Sequence, residues 1–263
     1  MILLRRLRKI VLLLIWFFIT LIAAGLDTLL RRKWSKVSAG AKWTKIWAKT
    51  AGKIIGLKIT VHGTPSEGAG KLVVSNHTGY LDIVAQGALF PLRFAPKIEM
   101  RSWPLFGWLV SLSHPVWVDR TNRVRAGKTA EQFKQTLEHK LSLLVYPEGT
   151  STDGRHGLLP FKSTAFEAAL AADVPLLPVL VFHRGIPEGA FDPAWYGDIG
   201  FLTHIWGVLG LKEIHSCVYI MPVVHLREGE NRKELAQRMH QLMTAYYEEH
   251  SVSAAGRQVN IIK

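Results

Sequence analysis

The 263-residue chain has one cysteine, Cys217, so an internal disulfide and a Cys-rich metal site are both excluded. Cys217 lies in the strand-like run CVYIMPVV, where a core thiol is the expected role. No G-x-S-x-G elbow is present, which argues against a covalent serine hydrolase. No H-E-x-x-H pair is present either, so a zincin-type helix is absent. Internal repeats and low-complexity linkers are also missing. Charged residues are 20% and hydrophobic residues 48%, too apolar for a disordered chain.

Acidic residues are scarce at one end. Residues 1–55 carry twelve Lys/Arg and a single acid, Asp27, whereas residues 56–263 carry 21 basic and 19 acidic residues. The net charge of +13 therefore belongs mostly to the N-terminal segment. That segment is also the most apolar. Basic plus apolar points to a lipid surface and away from nucleic acid.

Ile10 to Leu30 is almost wholly apolar and, as a helix, would reach about 30 Å, one hydrocarbon core. A cleaved signal peptide is the competing reading, since IAAG resembles a cleavage site. Arg5, Arg6, Arg8 and Lys9 precede the run, and Arg31, Arg32, Lys33 and Lys36 follow it. Positive charge at both ends fits a helix embedded without crossing as well as a single span. In 41–56 the helical period puts Trp43, Trp47 and Ile54 on one side and Lys42, Lys45, Lys49 and Lys53 on the other. An amphipathic interfacial helix is expected there, and a helix packed on its own domain is the alternative. Residues 1–55 thus read as membrane anchor and interfacial helix, and 56–263 as the catalytic domain.

After Gly56 short apolar runs alternate with amphipathic ones. Strands are expected at 57–63, 71–76, 92–97, 115–119, 142–148, 176–182 and 216–224. Helices are expected at 78–90, 121–140, 160–172 and 231–250, with Thr121 and Asn122 as caps. This pattern predicts an α/β fold, a mixed sheet flanked by helices. Residues 184–212 read as a long aromatic connection, either a lid or acyl-chain wall or a peripheral packing element.

Five stretches carry chemistry. In 75-SNHTGYLD-82, His77 and Asp82 stand five apart, so in a straight helix they would point about 140° apart. A bend at Gly79 would let Asp82 fix the His77 tautomer and make the other ring nitrogen a base. In 146-YPEGTSTDGR-155, the loop N–H groups could hold an oxyanion and Glu148 could accept from a substrate hydroxyl. An ordinary Gly/Asp turn is the bland alternative. In 113-SHPVWVDRTN-122, Arg120 closes a strand, where a guanidinium could hold phosphate or carboxylate. In 160-PFKSTAF-166, Lys162 is a second candidate cation, and 174-VPLLPV-179 would shape a substrate tunnel.

The ordered set NHTGYLD, WVDR, YPEGTS and VPLLPV, across about residues 70–180, resembles the glycerolipid acyltransferase family, typified by lysophosphatidic acid acyltransferase. The resemblance implies that His77 is the general base on an acceptor hydroxyl and that Asp82 orients it. It implies that Arg120, Glu148, Gly149 and Thr150 help bind the acceptor's polar head, with Ser151 beside them. The acyl donor would be a thioester on CoA or acyl carrier protein, with no metal or other cofactor. The acceptor would be a lysolipid, foremost 1-acyl-sn-glycerol-3-phosphate, at the cytoplasmic face of the cell membrane. Many family members continue E-G-T with Arg-Ser, whereas this chain has Ser151-Thr152-Asp153-Gly154. Arg155 or Lys162 could supply the missing cation, or the acceptor could lack a phosphate monoester. The run EGTSTDG…LPFKS resembles the branch containing lyso-ornithine lipid acyltransferases. A lipid ester or thioester hydrolase using the same pair, and a non-catalytic membrane-binding protein, are the readings from other classes.

Overall fold

The computed structural model describes residues 1–64, 70–119, 123–184 and 191–251. Six strands form one sheet in the order β1-β6-β5-β2-β4-β3. They are β1 Leu57–His62, β2 Leu72–Ser75, β3 Leu92–Arg93, β4 Ser142–Val145, β5 Leu176–Arg184 and β6 Ile214–Ile220. β2, β3, β4 and β5 run parallel, β6 runs antiparallel to β5, and β1 pairs parallel with β6. β1 and β6 therefore start at the end of the sheet where β2, β4 and β5 finish. The helices are α1 Ile2–Leu29, α2 Lys33–Ile55, α3 Tyr80–Leu89, α4 Phe106–Leu112, α5 Arg123–Glu138, α6 Glu167–Ala172, α7 Phe201–Gly210 and α8 Arg232–Ser251.

The two-residue period of a strand sorts the apolar runs into two cores. Leu72, Val74, Leu143, Val145, Leu180 and Phe182 face one side and pack with Phe133, Phe166 and Met239 of the α5, α6 and α8 layer. Val73, Leu144, Leu177, Val179 and Val181 face the other and pack with Ala48, Leu81 and Val208 of α2, α3 and α7. Both faces are covered, which is why the central strands carry almost no polar side chain. VPLLPV opens β5, and Leu176, Leu177 and Val179 are buried in these cores, so that stretch does not line a tunnel.

Four expectations change. The 115–119 run is extended, but only Val118 forms a bridge, with Lys97. The 160–172 helix starts later, as a 3-10 turn over Ser163–Phe166 that leads into α6. The connection after β5 contains α7, whose FLTHIWGVLG is too uniformly apolar and glycine-interrupted to show a clear period. A second unforeseen pair, the 3-10 turn Ile98–Ser102 and α4, sits between β3 and the 115–119 run. Thr121 and Asn122 lie outside the described residues.

The interfacial helix is corrected most. It begins at Lys33, and its small residues Gly40, Ala48, Ala51 and Gly52 lie against the domain. A Cβ at Gly40 would come within 2.8 Å of the Ser113 carbonyl oxygen, so α2 sits directly on the chain there. Trp43 and Trp47 are half-buried, Trp43 against α1 and Trp47 against the core. Trp43 Nε1 donates to Asp27 Oδ2 (2.9 Å), and Trp16 Nε1 donates to the Trp47 carbonyl (3.3 Å). Lys42, Lys49 and Lys53 remain exposed.

α1 is long and apolar enough to cross a membrane. Nevertheless, both its ends are tied to the rest of the chain. Near its start, Arg5 donates to the Gly210 carbonyl (2.7 Å), and buried Lys9 donates to the carbonyls of Ile55 and, at 2.8 Å, Leu211. These carbonyls end α2 and α7, where unpaired C=O groups and the helix dipole favour a cation. Replacing Lys9 by Met keeps the length but leaves two buried carbonyls unpaired. Lys9→Met should lower stability by about 1–3 kcal/mol, read as an earlier thermal unfolding transition in detergent micelles. An unchanged transition would show that α1 is not held this way.

Candidate active site

The chain leaves the sheet at Asn76, at the C-terminal end of β2. Asn76 Oδ1 accepts from the Val181 N–H (2.8 Å), and Nδ2 donates to the Val181 carbonyl (2.9 Å). The side-chain amide thus extends the β2–β5 ladder by one rung while the backbone turns away. His77 follows, with its side chain about one-fifth exposed. Three further bonds hold its backbone and the next residue. His77 N–H donates to Glu148 Oε1 (2.9 Å), Thr152 N–H donates to the His77 carbonyl (2.9 Å), and Trp195 N–H donates to the Thr78 carbonyl (2.7 Å). The Tyr146 ring stacks on the imidazole at 3.9 Å between centroids.

Asp82 is fully buried and occupies the third position of α3. Its Oδ2 accepts from Gly79 N–H (3.0 Å) and Thr78 N–H, and its Oδ1 accepts from Thr78 Oγ1 (2.6 Å). An acid there answers the orphan N–H groups of the helix start. Gly79 makes the bend with φ 143°, and a Cβ on it would come within 2.9 Å of Trp195 N. The bend brings His77 Nδ1 to 3.1 Å from Asp82 Oδ2. His183 Nε2 reaches Oδ1 at 3.1 Å, and His183 Nδ1 lies 2.7 Å from Ser216 Oγ. Burial alone would raise the Asp82 carboxyl, but hydrogen bonds from His183 and His77 outweigh it and hold the group well below its ordinary value. An ionised carboxylate only accepts, so His77 carries its proton on Nδ1. Nothing among the described residues bonds its Nε2, which is left for an acceptor hydroxyl.

The loop after β4 completes the floor. Both Glu148 oxygens accept backbone N–H groups, Oε1 from His77 and Oε2 from Leu159 (2.9 Å). Glu148 is buried, and burial raises its pKa against those bonds. The expected contact with a substrate hydroxyl is thereby replaced by a contact that fixes His77. Gly149 has φ 75°, and a Cβ there would lie 2.4 Å from Lys162 Nζ. The Lys162 ammonium thus sits over Gly149, with Thr150 and Ser151 beside it. Arg155 is paired with Asp192 at 2.7 Å. Arg120 lies outside the described residues.

The structure brings His77, Asp82, Glu148 and Gly149 together at the ends of adjacent strands β2 and β4, with Lys162 over Gly149 and Thr150 and Ser151 next in the same loop. Sequence reasoning missed His183, Ser216 and Tyr146. His183 stands 101 residues from Asp82 in the chain, and no local motif marks it. Segment 191–200 and α7 wall one side. His204 Nδ1 meets Tyr80 Oη at 3.0 Å, and Phe201 packs with Trp103, Phe106, Tyr80 and Trp195.

Asp82→Asn replaces an acceptor by a group that can also donate, so His77 loses its tautomer lock. Any reaction that uses His77 as base should slow by about 10³-fold or more, by analogy with a buried aspartate behind a catalytic histidine. The same variant has a stability signature. The folded carboxyl titrates below its unfolded value, so Asp82 contributes fully above about pH 4 and the contribution is lost as pH falls below that. Acid unfolding followed by tryptophan fluorescence should therefore show a shallower loss in Asp82→Asn. An identical acid limb would mean that Asp82 is not ionised in the fold.

The Acyltransferase family model matches residues 58–181, which includes His77, Asp82 and the 146–155 loop. A lyso-ornithine lipid O-acyltransferase of Rhizobium meliloti is 30% identical over 227 residues, covering 80% of this chain and 77% of the relative. A 1-acyl-sn-glycerol-3-phosphate acyltransferase of Neisseria gonorrhoeae is 29% identical over 192 residues, covering 73% and 74%. The crystal structure of the 1-acyl-sn-glycerophosphate acyltransferase of Thermotoga maritima shares the fold, with a TM-score of 0.65 over 97% of this chain and all of that one at 22% identity. With a buried carboxylate orienting a one-fifth-exposed histidine at the strand ends, and relatives of this similarity over this much of the chain, the protein belongs to the acyltransferase family.

Proposed function

We propose that this acyltransferase moves a fatty acyl group from a thioester to the free hydroxyl of a lysolipid at a membrane surface. The observation that carries the reading is the open Nε2 of His77, with Nδ1 locked on Asp82. His77 Nε2 takes the hydroxyl proton as the acceptor oxygen attacks the thioester carbonyl. The tetrahedral oxyanion lies near the Thr150–Ser151 backbone, whose N–H groups are the candidate donors, since the Gly149 N–H is taken by the Tyr146 carbonyl. Collapse breaks the carbon–sulfur bond, and the imidazolium returns the proton to the leaving thiolate. No acyl-enzyme and no cofactor enter the scheme. The thiol carrier is CoA or acyl carrier protein.

For the acceptor, the motif set favours 1-acyl-sn-glycerol-3-phosphate, with Lys162 as the phosphate's cation. One observation favours a second reading. Ser151 is uncharged and Arg155 is engaged by Asp192, which leaves Lys162 as the unpaired cation over the loop among the described residues. A single carboxylate, such as that of a lyso-ornithine lipid, matches one cation better than a phosphate dianion does.

α1 supports attachment from one side of the membrane. Its apolar surface, including Leu4, Val11, Ile15, Phe18, Ile22 and Leu26, is exposed, while Arg5, Lys9 and Asp27 tie both ends to the domain. Leu202 and Trp206 on α7 and Trp108 on α4 are exposed as well. A helix held along its length by one domain lies in a leaflet, with the catalytic domain on the cytoplasmic face.

The test is transfer of labelled acyl groups from acyl-CoA and acyl carrier protein to a panel of lysolipids by membranes containing the protein. His77→Ala should reduce transfer by about 10²–10⁴-fold, and transfer that survives it sinks the mechanism. Free fatty acid as the sole product would favour a hydrolase. Lys162→Ala should raise the acceptor KM by about tenfold, the loss of one charge-assisted contact, with little change in kcat. The ratio of kcat/KM for the phosphate and ornithine acceptors decides between the two.

A further inference from the structure

We propose that His183 is a second imidazole of the reaction centre, a positioning residue that holds Asp82 for His77. The proposal rests on the reading of His77 as the base and goes beyond it. His183 lies near the end of β5, and Ser216 is its directly opposed partner in the antiparallel β5–β6 ladder. The pair is set by strand register, where side chains of opposed residues meet. The His183 side chain is 4% exposed and Ser216 is fully buried, so neither touches substrate.

The direction of each bond follows from what the groups can do. Ionised Asp82 only accepts, so His183 donates from Nε2 to Oδ1 (3.1 Å). Its Nδ1 is then an acceptor, and Ser216 Oγ donates to it (2.7 Å). His77 donates from Nδ1 to the other oxygen, Oδ2. The two imidazoles therefore grip opposite oxygens of one carboxylate. The His183 bond stops the carboxylate from rotating and keeps Oδ2 in the plane that His77 needs. It acts when His77 becomes imidazolium, and so on the chemical step. The titratable groups around this pair are His77, Asp82, Tyr146 and Glu148, of which Tyr146 is stacked on His77 and Glu148 binds its backbone.

The experiment compares wild type, His183→Leu, His183→Gln, Ser216→Ala and His77→Ala in the acyl-transfer assay, with thermal unfolding in detergent as the folding control. A glutamine amide can donate to Asp82 and accept from Ser216, whereas leucine does neither. His183→Leu should lose about 10–100-fold in kcat, the scale of a mispositioned catalytic group, with the acceptor KM nearly unchanged. His183→Gln should recover most of that loss. A folded His183→Leu protein with wild-type kcat overturns the proposal, as does equal impairment of the Leu and Gln variants or an effect confined to KM. If His183→Leu does not fold, Ser216→Ala decides: a lower kcat at constant KM supports the proposal, and an unchanged kcat overturns it. His77→Ala separates the two readings. Activity that survives it removes the base itself, whereas an inactive His77→Ala beside a fully active His183→Leu removes only the role of His183.

Discussion

The site depends on a carboxylate that is shut away from solvent. Asp82 is fully buried, and an ionised group in that position is tolerated only when its lone pairs are satisfied. Five donors do so: two backbone N–H groups, one hydroxyl and two imidazoles. Four of these come from the bend at residues 77–79 and the fifth from His183 on β5. Gly79 must bend, α3 must begin there, β5 must end beside it, and β6 must be in register with β5. Losing any of these strands the charge. The same carboxylate thus caps a helix, ties three parts of the sheet together and sets the proton position on His77.

Much of this was legible from local spacing, and the rest was not. The five-residue step from His77 to Asp82, with Gly79 between, implied a bend, and the apolar runs implied the strands. The capping role of Asp82 was not read from the sequence and follows from where α3 starts. His183 and Ser216 are joined to Asp82 by strand pairing across more than a hundred residues, and pairing register is not written in either segment alone. Glu148 shows the opposite limit. Its motif was visible, but the use of both oxygens on backbone N–H groups follows from how two loops pass each other.

The N-terminal charge was read correctly in sum and differently in detail. Arg5 and Lys9 serve the C-terminal carbonyls of α2 and α7, and the Arg6 guanidinium sits 4.7 Å over the Trp206 ring. These cations bind the helix pair to the domain before any lipid is involved. Arg8, Arg32, Lys42, Lys49 and Lys53 stay exposed and are left for anionic headgroups. Composition cannot separate the two groups, because both sit at helical spacing in apolar surroundings. The tryptophans of α2 fail as interface markers for a similar reason: Trp34 stacks on His139, Trp43 bonds Asp27 of α1, and Trp47 packs on the core.

The reversed direction of β1 and β6 gives this arrangement its functional sense. Because β6 runs against β5, the start of β1 lies at the end of the sheet where β2, β4 and β5 deliver His77, Tyr146 and His183. Ile55 and Leu211 stand at that same end, and Lys9 of α1 is bonded to both. The apolar helix is therefore fastened to the edge of the sheet that carries the chemistry. Both substrates of a lipid acyl transfer are amphiphiles, and pulling an acyl chain out of a bilayer costs about 0.8 kcal/mol per methylene. A site anchored at the leaflet surface avoids most of that cost, since chains can stay in apolar surroundings while only the hydroxyl and the thioester reach the histidine. An all-parallel sheet would have put the β1 end, and the helix fastened to it, at the opposite edge.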